Sequence, residues 1–392
     1  MSQDSTSILE HTIPIGRRIA EIMKEKGRAF SQQAVASRMG ISRETLRSML
    51  TGDRVILDFE LRQIAALLKM TVERIKQDDT RQEERRLHSL LQEAVDHRSA
   101  LEIAERLAKL AVGITERCIS LNNLGSAYFI GLKYDEAHDA WLQAYQYANE
   151  IKERYNDSEY LFDVAKNIMI SFSVRKEYAH LSSILSELEP LFESKPERSG
   201  ALCYSYAMIE YQKGNKESAK QKLYQSLEYY RMTGDEKNIG QAEQNIGYIE
   251  YATANYEKAK IFFEKALQKL VQYRYWYLVT VKDYIKTLIM LGEHERATEL
   301  IMQSMKEVQS LGHLDLEGRM LLLLSRVSNI PEHASDVVKE GKYGLQVQLL
   351  GCKFLIKFYK ENYDSLMFMK YYEIAEKLSG KEISDILDEE DL

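Results

Sequence analysis

One recurrence constrains this chain more than anything else in it. Small or aliphatic residues that open an apolar stripe return at Ala100, Ala137, Leu181, Ala219, Ala259, Ala297, Ala334 and Leu366, at intervals of 37, 44, 38, 40, 38, 37 and 32 residues. A period of that size marks a supersecondary unit that buries its apolar face only by stacking on further copies of itself. Two stretches show the unit most clearly. NNLGSAYFIGLKYDEAHDAWLQAYQYA, from Asn122, places Leu124, Gly125 and Tyr128 on one helical stripe and Ala137, Trp141 and Ala144 on the next. NIGYIEYATANYEKAKIFFEKAL, from Asn245, repeats this with Ile246 and Gly247, then Ala259, Phe263 and Ala266. The small residues let paired helices approach, and the aromatic residue fills the space between them. Alternating strand patterns are missing, and 4 prolines and 19 glycines are too few to punctuate an all-β chain. Gly131, Gly214, Gly292 and Gly312 break the periodicity too regularly for a coiled coil. An all-α fold is expected.

The pattern resembles the tetratricopeptide repeat, whose unit is about 34 residues; most intervals here are slightly longer. About eight helix hairpins over residues 91–380 are expected to coil into a right-handed superhelix, with the outer repeats degenerate. The net charge of −7 conceals an asymmetry: residues 1–77 hold 13 Lys and Arg against 9 Asp and Glu, and the remainder is acidic. A basic head on an acidic body points to an anionic partner at the head. Between them, residues 78–90 are charged, free of proline and glycine, and expected to form a helical connector. Residues 381–392 are expected to be an acidic tail. Three widely spaced cysteines, no signal-like N-terminus and no apolar run of membrane-spanning length point to a soluble cytoplasmic protein.

The head carries its own signature. Ile15, Ile19, Ile22 and Met23 share one helical face, and Gly27 ends that helix. Ser31 is placed to cap a short helix burying Val35, Ala36 and Met39, and Gly40 supplies the left-handed turn after it. Ser42 then caps a second helix burying Leu46, Met49 and Leu50, and Asp58 and Thr71 open two more. Two short helices joined by a three-residue turn with glycine form a helix-turn-helix. The succession of five helices over about residues 11–77, with Ala36, Gly40, Ser42, Leu46 and Gly52 at these spacings, resembles the XRE or Cro/C1 class of DNA-binding domain. That resemblance implies a phosphate contact at Gln32 and a recognition helix whose outer face offers Arg43, Glu44, Arg47 and Ser48 to the major groove, with Thr45 adding a phosphate or methyl contact. Ser42 stands at the same end. Arg17, Arg18, Arg38 and Arg54 are expected to add charge toward the DNA backbone.

In the body, matched positions of the first helices carry Asn123, Asn167, Ser205, Asn245 and Asp283. Short amides donate and accept together, so such a ladder suits a peptide main chain; the same residues could instead tie neighbouring repeats to one another. Tyr204, Tyr248 and Lys282 lie beside this line and offer pockets or a carboxylate grip. Catalysis has no candidate: there is no Walker A loop, GxGxxG, HExxH or GxSxG element, and the eight histidines lack ligand-like spacing. No cofactor or metal is expected.

An XRE-type head on a tetratricopeptide body resembles the RRNPP family of peptide-sensing regulators (Rap, Rgg, NprR, PlcR and PrgX). The resemblance implies a cytoplasmic quorum-sensing transcription regulator, typically a homodimer, that binds an operator in double-stranded DNA and is switched by a short imported signalling peptide. Two alternatives stay open: a Rap-like regulator that sequesters or dephosphorylates a response regulator, and a phage or plasmid repressor blind to peptides.

Overall fold

The computed structural model describes residues 13–94, 96–192 and 195–379, among which every regular element is helical. The expected acidic tail lies outside the described residues. Two compact units divide after Ile209. In the first, the head comprises α1 (Ile15–Glu25), α2 (Gln32–Met39), α3 (Arg43–Thr51), α4 (Asp58–Leu68) and α5 (Val72–Lys76). Then come α6 (Arg81–Glu93) with α7 (His97–Leu110), α8 (Ile114–Ile130) with α9 (Tyr134–Tyr155), α10 (Glu159–Val174) with α11 (Tyr178–Phe192), and most of α12 (Pro196–Gln212). The second unit holds α13 (Lys216–Thr233), α14 (Glu236–Ala252) with α15 (Tyr256–Leu270), α16 (Arg274–Met290) with α17 (His294–Ser310), α18 (Leu314–Ser328) with α19 (Glu332–Lys339), and α20 (Leu345–Glu361) with α21 (Ser365–Ser379).

The head's local chemistry follows its sequence with one exception. Ser31 and Ser42 accept from the backbone N–H of Ala34 and Thr45, and Gly40 lies in the left-handed region at φ 69°. Thr71 caps α5 through the N–H of Arg74. Asp58, however, is the first helical residue of α4 and not its cap. Glu60 reaches back instead, accepting from the N–H of Leu57 at 2.9 Å. Ile19, Val35, Ala36, Leu46, Ile64, Leu68 and Ile75 close the core, all fully buried.

The expected connector is helix α6, which packs on α7 and contributes buried Leu87 to a cluster with Ala100, Ala104 and Leu107. The knob-and-gap logic is visible in the best repeats. A Cβ on Gly125 would lie 2.5 Å from the Trp141 ring, and one on Gly247 would lie 2.7 Å from the Phe263 ring. Only hydrogen fits there, and the aromatic rings occupy the space. Ala100, Ala137, Leu181, Ala219, Ala259, Ala297 and Ala334 are all fully buried at the start of second helices. Leu366 is not: it is 81% exposed, and α21 packs through Tyr371 and Ala375. The last repeat is therefore out of the register expected for it, because the short α19 and the loop after it break the spacing.

Candidate functional site

The first candidate surface is the outer face of α2 and α3. Of the eight residues assigned to it, four serve the head itself. The Ser42 and Thr45 hydroxyls bond each other at 2.8 Å while Ser42 caps α3, and Ser48 donates to the Thr45 carbonyl at 2.8 Å. Arg54 pairs with buried Glu60 at 2.7 Å. Of the other four, Arg43, Glu44 and Arg47 stand outward and Gln32 is half-buried. Gln32 and Arg43 have no hydrogen bond or ion pair among the described residues, and Glu44 and Arg47 share a loose exposed pair at 3.6 Å.

Of the four basic residues expected to add charge alongside them, Arg17 and Arg18 are taken up inside the protein, while Arg38 is exposed and Arg54 partly exposed, each bonded within the head. Arg18 is 1% exposed and donates to the carbonyls of Ile75 and Arg74, at 2.8 and 3.1 Å, while pairing with Glu116 at 2.8 Å. Arg17 bonds Asp157 and Thr115, both at 2.9 Å, and lies over the Tyr155 ring. Arg38 bonds the Ala29 carbonyl and lies over Phe30. Arg54 is spent on Glu60, as above. An arginine in sequence is only a candidate for phosphate; burial and a waiting carboxylate decide otherwise.

Arg17 and Arg18 mark a joint between the head and α8 that no sequence motif announces. Helix α8 begins at Gly113, which has no side chain to cap it, and α1 supplies the acceptors. Glu25 accepts from the Gly113 N–H at 2.6 Å, and Glu21 accepts from the Thr115 N–H at 2.9 Å and its hydroxyl at 2.6 Å. Glu116, 4% exposed, takes Arg18, Arg74 and the Val112 N–H at 2.8 Å. Arg117 pairs with Glu25. The one signal in the sequence was a helix opening on glycine; nothing near it pointed to Glu21 and Glu25 as the acceptors.

The second candidate surface lies on the first helices of the hairpins. They pack on one another as well as on their partners: α8 on α10 in the first unit, and α14 on α16, α16 on α18 and α18 on α20 in the second. The polar ladder is present, but in large part as ties between repeats. Asn167 donates to Asn122 Oδ1 at 2.8 Å, and Gln244 donates to Asp283 at 2.9 Å. Each tie joins a predicted residue to the neighbour one place before the predicted one. Asp283 also takes Lys282 at 2.9 Å and is 5% exposed, which removes it from the peptide candidates. Ser205 is removed too: it is 4% exposed and donates to the Ala201 carbonyl at 3.1 Å. Tyr204 is half-buried, and burial raises its phenol pKa. Asn123 and Asn245 are half-buried with no hydrogen bond among the described residues, and Tyr248 is half-buried beside Asn245. His138, one of the scattered histidines, is a packing residue: burial lowers its pKa, and Nδ1 meets Ser171 Oγ at 2.9 Å.

No family model matches this sequence, and neither does any curated protein. Solved structures do match in three dimensions. NprR in complex with its cognate peptide NprX aligns over 94% of this chain and 98% of its own, with 18% identity and a TM-score of 0.57. A Rap protein complexed with Competence and Sporulation Factor aligns over 95% and 99%, with 12% identity and a TM-score of 0.54. The apo form of NprR from B. thuringiensis covers 93% and 97%, with 15% identity and a TM-score of 0.54. The fold is that of the RRNPP proteins. In this RRNPP fold the head and the first three hairpins belong to one compact unit, so the joint at α8 is internal to it. No helix among the described residues is long and apolar enough to cross a membrane.

Proposed function

We propose that this chain is a cytoplasmic, homodimeric transcription regulator that reads operator DNA through α3 and is switched by a short signalling peptide held on the first helices of its repeats. The observation that carries the DNA half is the contrast among arginines. Arg17, Arg18, Arg38 and Arg54 all have internal partners, whereas Arg43 and Arg47 stand on the outer face of α3 beside unpaired Gln32. A guanidinium held outward on a helix after a glycine turn meets guanine O6 and N7, and Gln32 at the start of α2 meets phosphate. The peptide half is supported by the likeness to NprR, which was solved with its peptide NprX, and by half-buried Asn123, Asn245 and Tyr248. In each unit separately, amides already tied between helices, such as Asn167, keep spare donor and acceptor capacity for a main chain.

The test is in vitro selection from a random double-stranded library by the full chain. Wild type is expected to enrich a two-fold-related sequence, and Arg43→Ala to lose enrichment at one base position of each half-site. The equally extensive likeness to a Rap protein favours a second reading, a regulator that acts by holding another protein. A wild-type chain that enriches no duplex but retains a phosphorylated response regulator would replace the first reading with the second.

A further inference from the structure

The joint between head and repeats is built on both sides. Gly113 has a φ of 80°, and a Cβ there would lie 2.9 Å from Glu21 Cβ, so the close approach of α1 excludes any larger residue. On the α1 side, two carboxylates replace the cap that α8 lacks, an arrangement favoured by the positive end of the helix. Glu116 gathers Arg18 from the head's first helix and Arg74 from its last. Opening the joint would break the bonds from Glu21 and Glu25 to the first turn of α8 and part Glu116 from Arg18 and Arg74, with only water to replace them.

We propose that Glu21 and Glu25 are positioning residues for DNA reading: they fasten α1, and through its packing α3, to helix α8, and so set the distance between the two half-sites a dimer can read. The proposal rests on the DNA-reading half of the function above. Helix α8 carries both ends of the linkage. Its first turn holds the head, and Asn122, about 10 Å further along at 1.5 Å per residue, is tied to Asn167 on α10. A change in the packing of α8 on α10 is therefore passed to α3 as a rigid rotation. Half-sites must be met about 34–36 Å apart, or at a multiple, so a fastened head tolerates one spacing and a loosened head several.

Two measurements on the full chain test this. A fluorophore on exposed α4 (Gln63→Cys in a Cys203→Ser background) reports head motion by time-resolved anisotropy. Wild type is expected to show only the slow tumbling of the whole molecule, and Glu21→Ala/Glu25→Ala to add a fast component with helix content unchanged. Thr115→Val, a milder change at the same joint, is expected to give a smaller fast component. Selection from a random duplex library is expected to give one half-site spacing for wild type, and the same half-site at several spacings for the double variant. A fast component already present in wild type, or a single spacing retained by the double variant, overturns the proposal. A wild-type chain that enriches no duplex overturns the DNA reading and the spacing role with it, while the anisotropy separately shows whether the head is fastened.

Discussion

Arg18 and Arg43 are the same residue type in the same small bundle of helices, and their surroundings divide them. Arg18 is buried against two backbone carbonyls and Glu116; Arg43 has solvent around it. Arg43→Ala is expected to cost about 1–3 kcal/mol of discrimination at one base pair without lowering thermal stability, read by duplex titration alongside thermal unfolding. Arg18→Ala is expected to do the reverse, lowering stability first, because Glu116 loses a buried partner. Residue type and spacing were enough to place Arg43 and Arg47 on an outer face. They were not enough to tell Arg17, Arg18 and Arg54 from phosphate ligands, because Asp157, Glu116 and Glu60 come to them only through folding. The glycines were more legible. Gly247→Ala would push a methyl to 2.7 Å from the Phe263 ring, and chemical denaturation is expected to show a loss of about 1–3 kcal/mol.

Among the elements, the caps show how local chemistry decides where a helix begins. Burial opposes the Glu60 charge, but the Leu57 N–H and the Arg54 guanidinium outweigh it and hold that carboxyl below the usual carboxylate range. A folded value below the unfolded one, about 4.3 for glutamate, stabilises α4 above that pH and ceases to do so as pH falls through the folded value. Protection of the amides at the start of α4, measured as exchange relative to the intrinsic rate at each pH, is therefore expected to fall in wild type between pH 5 and pH 3 and to change less in Glu60→Gln. At pH 7, Glu60→Gln is expected to cost α4 about 1 kcal/mol. The polar ladder was legible as a line of short amides but not in its register. Asn167 meets Asn122, one place before the residue matched to it, because a helix shifts by part of a turn against its neighbour. The N-terminus of α8 was the least legible element, since its cap comes from another helix 88 or more residues away in sequence. No local pattern reports such a partner.

At the scale of the whole molecule, the repeat recurrence carried the fold. Small residues at Ala137, Ala219, Ala259 and Ala297 open second helices, and the aromatic knobs Trp141 and Phe263 fill the gaps opposite glycine. The recurrence failed at Leu366, where an aliphatic residue at about the right interval is exposed and aromatic Tyr371 packs instead. What the chain responds to follows from coupling between two sites, and coupling is reciprocal: a peptide that changes the affinity for DNA must have its own affinity changed by DNA by the same factor. The most direct measurement is a titration of the full chain with its selected duplex, with and without peptides from a synthetic library of short sequences. One of those peptides is expected to shift the duplex affinity at least several-fold, and the duplex to shift that peptide's affinity by an equal factor. A duplex affinity unchanged at saturation with a peptide that does bind would contradict this coupling.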